Sequence, residues 1–195
     1  MDSGLSVVCK PAVGNDLVAW SSDSNRFHNT NSRFVERILC PSERRFWESK
    51  GCTVLGLWTL WAAKEAAFKA LSRKKPTLFS PRRFEVNLEG GEPEVCHDGT
   101  RLALAWEHTS YWVHAWVASD KGALLRVHRQ ASKAEGDQSV AVRALAGSLL
   151  DSLGMAGARI EGVPPLALSG SGCELPGTLS LSHDEGYVAV VWLEG

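Results

Sequence analysis

Trp58-Thr59-Leu60-Trp61-Ala62-Ala63-Lys64-Glu65-Ala66-Ala67-Phe68-Lys69-Ala70-Leu71 is the stretch from which the rest of the chain is read. It consists of good helix formers and contains neither Gly nor Pro, which predicts a helix. Leu57, Trp58, Trp61, Phe68 and Leu71 supply the apolar stripe that a core-facing helix needs. Glu65 lies one turn beyond Trp61, so its carboxylate sits close to that stripe. Lys69 is one turn further on, and Lys64 flanks Glu65. A carboxylate at an apolar seam with two ammonium groups beside it suits an anionic ligand bound through a metal. The same spacing suits an ordinary i,i+4 ion pair between Glu65 and Lys69, worth on the order of a few tenths of a kcal/mol. Spacing alone leaves both readings open.

Working outward, 44% hydrophobic and 22% charged residues in a chain of 195 describe an ordinary globular protein with enough apolar mass for a real core. One large domain or two small halves fit that length equally well. A formal net charge of −1 speaks against nucleic-acid binding, which normally shows a basic excess. The five cysteines form no C-x-x-C pair and no zinc spacing, so free thiols in a reducing cytoplasm are expected. No run approaches the roughly 20 apolar residues of a membrane span, and the N-terminus has no apolar run long enough for a signal peptide.

Residues 5–9 and 12–18 read as strands. Gly14 and Asn15 allow the backbone to bend ahead of Asp16 and leave its carboxylate exposed at the strand's mouth, although a plain Asn-Asp turn fits the same residues. Residues 33–38 begin a helix, Pro41-Ser42-Glu43 opens another that runs to about residue 49, and Gly51 breaks the chain before the central helix. Arg73-Lys74-Lys75-Pro76 closes that helix, as a solvated basic cap or as a contact for phosphate or a partner protein. Strands follow at 84–88, 93–96, 101–106 and 111–118. In the last, Trp112, His114 and Trp116 share one face and Val113, Ala115 and Val117 the other, which predicts a buried sheet centre or an interface. Residues 129–138 are polar and lack aromatics, and so read as a linker. A helix is expected at 140–153, with Ser139 as its cap and Gly154 as its stop, then strands at 158–161, 165–168, 177–181 and 187–193. Gly91-x-Pro93 is echoed by Gly162-x-Pro164, and Leu102-Ala103-Leu104 by Leu179-Ser180-Leu181, a pattern consistent with two related halves.

The run W-x-x-K-E-A-x-x-K-A from Trp61 to Ala70 resembles the signature helix of the 4'-phosphopantetheinyl transferase superfamily. Val13-Gly14-Asn15-Asp16-Leu17-Val18 is similar to that family's G-x-D segment. Leu179-Ser180-Leu181-Ser182-His183-Asp184, followed by Tyr187-Val188-Ala189-Val190-Val191, resembles its S-x-S-H-D strand and turn. Arg33-Phe34-Val35-Glu36-Arg37-Ile38-Leu39-Cys40-Pro41-Ser42-Glu43 resembles the R-F-x-x-R-I-L-x-x-x-E helix entry of the holo-acyl-carrier-protein synthases. Four motifs in the family's order make chance agreement improbable.

The resemblance implies an α+β fold of two similar halves forming a pseudo-dimer in permuted order, with one site at the joint. Residues 1–128 would carry the G-x-D and W-x-x-K-E-A motifs, 129–138 the linker, and 139–195 the S-x-S-H-D motif. It implies transfer of 4'-phosphopantetheine from coenzyme A to a serine of an acyl or peptidyl carrier protein. The reaction would depend on Mg²⁺ and release adenosine 3',5'-bisphosphate. On the family pattern Asp16 and Glu65 hold the metal, and Glu65 and Lys69 are catalytic, with Glu65, or a water held on the metal near it, taking the serine proton. Lys64, Lys69, Ser182 and His183 would contact coenzyme A phosphates. Three positions depart from the pattern. Asn15 replaces an aliphatic residue, Val18 stands where the family's larger, two-half surfactin-synthetase-activating type often has a third carboxylate, and Val163 stands where that type's G-K-P turn has lysine. These departures keep open an inactive homologue that binds coenzyme A or a carrier protein without chemistry. A chain with both halves of the site would act as a monomer in the cytoplasm.

Overall fold

The hydroxyl of Thr53 accepts the Gly56 N–H at 3.0 Å and so starts α3 (Val54–Ser72), the helix on which the fold is laid down. The computed structural model describes residues 12–28, 31–73 and 76–195; the strand expected at 5–9 and the pair Lys74-Lys75 lie outside them. Large apolar residues fill the buried face of α3 only in its first half, through Leu57, Trp58 and Leu60; beyond them that face is alanine. Ala62, Ala63, Ala66, Ala67 and Ala70 are wholly buried, whereas Trp61, Phe68 and Leu71 are only partly so. The reason is the strand beside them, β1 (Val13–Val18), which runs against the helix backbone itself. A Cβ on Gly14 would stand 2.1 Å from the Ala66 carbonyl oxygen and 2.6 Å from the Ala70 nitrogen. Glycine on the strand and alanine on the helix permit a close approach that no larger pair could make.

β1 is an edge strand of an antiparallel five-stranded sheet ordered β1-β5-β4-β3-β2. The other strands are β2 (Glu85–Asn87), β3 (Glu94–His97), β4 (Thr100–His108) and β5 (Val113–Ala118). β5 is buried along its whole length, as its two-sided pattern predicts. Val113, Ala115 and Val117 pack into the main core, while Trp116 and Ala118 join a different cluster on the opposite face. Ahead of α3 lie α1 (Ser32–Ile38), capped by Asn31, and α2 (Pro41–Ser49), where the Glu43 carboxylate accepts the Cys40 N–H at 2.8 Å.

The second layer begins after a short α4 (Lys121–Leu124). β6 (Val127–Lys133), β9 (Gly177–Asp184) and β10 (Tyr187–Glu194) form an antiparallel sheet ordered β6-β10-β9. Helix α5 (Gln138–Ser152) packs on it through Ala146, Leu149 and Leu150, against Leu179, Val190 and Trp192. A small hairpin of β7 (Arg159–Glu161) and β8 (Leu166–Leu168) adjoins. Two expectations are corrected here. Arg129 to Lys133 are not linker but β6, whose register places Arg129 opposite Val191 and Lys133 opposite Tyr187. β6 is an edge strand with much of its surface in water, so its composition is polar, and only pairing with the apolar β10 makes it a strand. The cap of α5 is Asp137 rather than Ser139, its carboxylate accepting the N–H groups of Ser139 at 2.8 Å and Val140 at 3.1 Å.

The two sheets meet through a third cluster, in which Val13, Trp116 and Ala118 from the first pack against Val191 and Leu193 of the second. The fold is thus mixed α and β with antiparallel sheets. Among the described residues no helix is long and apolar enough to cross a membrane.

Candidate active site

Three elements converge where the edge strands β1 and β9 face each other. β1 brings Asp16, α3 brings Glu65 and Lys69, and β9 brings Ser182, His183 and Asp184. Asp16, Glu65, Lys69, His183 and Asp184 line one cavity of about 440 Å³. Its other wall is aromatic: His28, Phe34, Trp58 and Trp61, with ring centroids 4.4 Å apart for His28–Phe34 and 6.2 Å for Trp58–Trp61. Glu65 therefore does lie beside the apolar seam.

The carboxylates in this cavity are electrostatically tense. Asp16 is mostly buried; its Oδ1 accepts from Lys69 Nζ at 2.7 Å and from Ser182 Oγ at 2.8 Å. Burial, and then the negative charge of Asp16, push the Glu65 carboxyl up to about 7, although Lys69 pulls the other way. Asp184 is also raised, chiefly by burial, against the hydrogen bonds it accepts from the Ala19 N–H at 2.9 Å and Asn25 Nδ2 at 3.2 Å.

This donor set fits a hard divalent cation. Asp16 and Glu65 share the cavity with Asp184, whose Oδ2 is taken up by Ala19 and Asn25, and burial together with the charge of Asp16 raises the Glu65 carboxyl, a repulsion that a dication would offset. Among the described residues no three Asp, Glu, His or Cys side chains converge into a metal cage. Two carboxylates with open positions is the arrangement Mg²⁺ accepts, because it keeps most of its waters. Val18 lines the cavity and offers no donor.

Lys64 is elsewhere, and the expectation that it contacts phosphate is corrected. Its side chain is fully buried, and its Nζ lies 2.6 Å from Glu43 Oε1 and 2.8 Å from Oε2. It also donates to the carbonyls of Pro81 at 3.0 Å and Phe84 at 2.5 Å. Burial holds this ammonium below its usual range even though Glu43 draws it upward. The helical period separates Lys64 from Glu65 by about 100°, enough to send one into the core and the other into the cleft.

His28, Asn25 and Asp184 were given no role by the sequence reading, yet they line the cavity. His28 falls in a polar stretch, and the rings that hold it, Phe34 on α1 and Trp58 on α3, belong to other elements, so no periodic pattern marks it. A smaller cavity of about 300 Å³ also includes Lys69, and continues over Arg73, Ser180, Leu181 and Val163. The Arg73 guanidinium donates to the Leu179 carbonyl on β9, and Val163, 92% exposed, contributes no charge there. A further cavity, about 580 Å³ beside His97, has its charges spent locally: Arg83 on Asp98 at 2.7 Å and Arg101 on Glu94 at 2.7 Å.

The family model of the 4'-phosphopantetheinyl transferase superfamily matches residues 12–119, from the start of β1 to just past β5. Over 94 residues the chain is 32% identical to the holo-[acyl-carrier-protein] synthase of Koribacter versatilis (strain Ellin345). That alignment covers 48% of this chain and 75% of the relative.

Proposed function

The chain belongs to the 4'-phosphopantetheinyl transferase superfamily, and from that premise we propose that it transfers 4'-phosphopantetheine from coenzyme A to a serine of an acyl or peptidyl carrier protein. The observation that carries the reading is the single cavity lined by Asp16, Glu65 and Lys69 from one sheet and its helix and by His183 from the other sheet. In this reading the serine Oγ attacks the phosphorus that bears the pantetheine, and the bond to the 5'-phosphate of adenosine 3',5'-bisphosphate breaks. Asp16 and Glu65 would hold Mg²⁺, which offsets charge on the diphosphate oxygens. Glu65, with its carboxyl poised near 7, is suited to take the serine proton. Lys69 presents a partly exposed ammonium to the phosphates, already anchored by Asp16, and His183 reaches them from β9. The aromatic wall excludes water from one side of the reacting centre. Incubating the chain with coenzyme A, Mg²⁺ and an apo carrier protein should raise the carrier's intact mass by one phosphopantetheine. Binding of coenzyme A without any mass gain would replace this reading with that of an inactive homologue.

The pseudo-dimer reading is part of the same proposal. Each sheet carries one helix across it, α3 on the first and α5 on the second, and the β4–β5 hairpin has its counterpart in β9–β10. Val13 near the start of β1 packs in one cluster with Leu193 near the end of β10, as a permuted order requires. One chain then holds a complete site. Specific activity should stay constant on dilution, and light scattering should give a mass near 21.2 kDa. Activity that falls on dilution as an oligomer dissociates would sink the single-chain site.

A further inference from the structure

Every second residue at the end of β9 does the same thing. Ser180 Oγ accepts the Asn15 N–H at 3.1 Å, Ser182 Oγ accepts the Leu17 N–H at 3.0 Å, and Asp184 Oδ2 accepts the Ala19 N–H at 2.9 Å. The partners advance by two on both strands, the period at which side chains of one strand share a face. Among the described residues β1 pairs through its backbone with β5 alone, so the N–H groups on its other edge, which faces β9, have no backbone ladder. Side chains of β9 take the place of a ladder's carbonyls. The middle tooth of this comb has a second task, because Ser182 Oγ donates to Asp16 Oδ1 at 2.8 Å while Lys69 Nζ lies 3.3 Å from the same hydroxyl. Ser182 is itself only 5% exposed.

We infer that Ser180, Ser182 and Asp184 form a side-chain comb that seats β1 against the second sheet, and that Ser182 within it is the positioning residue for the Asp16 carboxylate rather than a ligand of phosphate. The inference rests on the assignment of Asp16 to the cation site. A hydroxyl whose lone pair takes the Leu17 N–H can point its own hydrogen in few directions, and here that direction is Asp16 Oδ1. Ser182 and Lys69 both hold the carboxylate by Oδ1, which leaves Oδ2 for a cation. Within the comb Asp184 serves as an acceptor. Its Oδ2 serves Ala19 and Asn25 together, and Asn25 in turn uses its carbonyl to accept Trp58 Nε1 at 3.1 Å, which ties the loop over the cavity to the comb.

The test is Mn²⁺ titration of the full chain without coenzyme A, read by water-proton relaxation, with thermal unfolding in parallel. Ser182→Ala should weaken Mn²⁺ binding by roughly 10-fold or more, the range found when a partner of a metal ligand is removed. Ser180→Ala removes a tooth that does not touch Asp16, so it should lower the unfolding temperature similarly and leave Mn²⁺ affinity nearly intact. Asp184→Asn keeps the acceptor and should unfold near the wild-type temperature, whereas Asp184→Ala should unfold lower. Equal Mn²⁺ affinities for Ser180→Ala and Ser182→Ala would overturn the inference. So would a Ser182→Ala protein that binds Mn²⁺ normally but coenzyme A weakly in metal-free calorimetry, or a wild-type chain that binds no Mn²⁺. A chain that shows the Ser182 dependence yet transfers nothing would instead retire the transferase reading and leave the comb standing.

Discussion

Glu65→Gln should abolish transfer and, at the same time, make the metal-free protein more resistant to heat above pH 7. Both effects follow from one observation, a carboxyl that burial and Asp16 hold up near 7 instead of the usual 4.5. Its proton is bound more tightly in the folded chain than in the unfolded one. Glu65 therefore favours folding fully below about pH 4.5, and that contribution is lost as pH rises through about 7. Gln has no charge to bury and escapes the loss, so the variant's advantage should be absent in acid and largest above pH 7. Activity should move oppositely. Without a carboxylate to take the serine proton and help hold the cation, turnover should fall by roughly 10²–10⁴-fold, the range for a positioned acid–base group. In the wild type at limiting Mg²⁺ the rate should rise with pH through about 7, as Glu65 loses its proton to solvent and its carboxylate becomes free to bind the cation. Melting curves at pH 5 and pH 8 with rates on the same samples check this. Near-wild-type turnover, or a variant less stable than wild type at pH 8, would remove Glu65 from the site.

The elements that were legible in the sequence are those whose own residues decide them. α3, the buried β5 and the β9–β10 hairpin follow from helix formers, two-sided apolarity and alternation. Asp16, Glu65, Lys69 and His183 do meet in one cavity. β6 was hidden because an edge strand keeps its polar side in water and is made a strand by its neighbour. The alanine face of α3 was hidden because a stripe of large residues looks more like a core than a row of small ones does. Only the backbone contact at Gly14 shows why small residues are needed there. The comb was hidden for a third reason: its hydrogen bonds join residues 165 apart, beyond any local pattern.

Lys64→Met should unfold at markedly lower denaturant, by about 3–5 kcal/mol, while leaving coenzyme A affinity unchanged. That cost is typical when one partner of a buried ion pair is removed and the other is left charged in the core. Glu43 is only 1% exposed and already accepts the N–H groups of Cys40 at 2.8 Å and Val86 at 2.7 Å, so it cannot turn to water when the ammonium is gone. The Pro81 and Phe84 carbonyls lose their donor in the same stroke. Glu43 closes the R-F-x-x-R-I-L-x-x-x-E motif and Lys64 stands in W-x-x-K-E-A, so two motifs that read as parts of a site meet each other in the core. What they do together is mechanical: one pair fastens the start of α2, the middle of α3 and the entry to β2. The double variant Glu43→Gln/Lys64→Met should cost clearly less than the sum of its singles, because Gln keeps an acceptor for a backbone N–H and carries no charge to strand. Urea unfolding of the three variants measures that coupling, and calorimetry with coenzyme A at two salt concentrations tests the site. Additive costs would dissolve the pair. Weaker, salt-sensitive coenzyme A binding in a folded Lys64→Met protein would put this lysine back among the phosphate ligands.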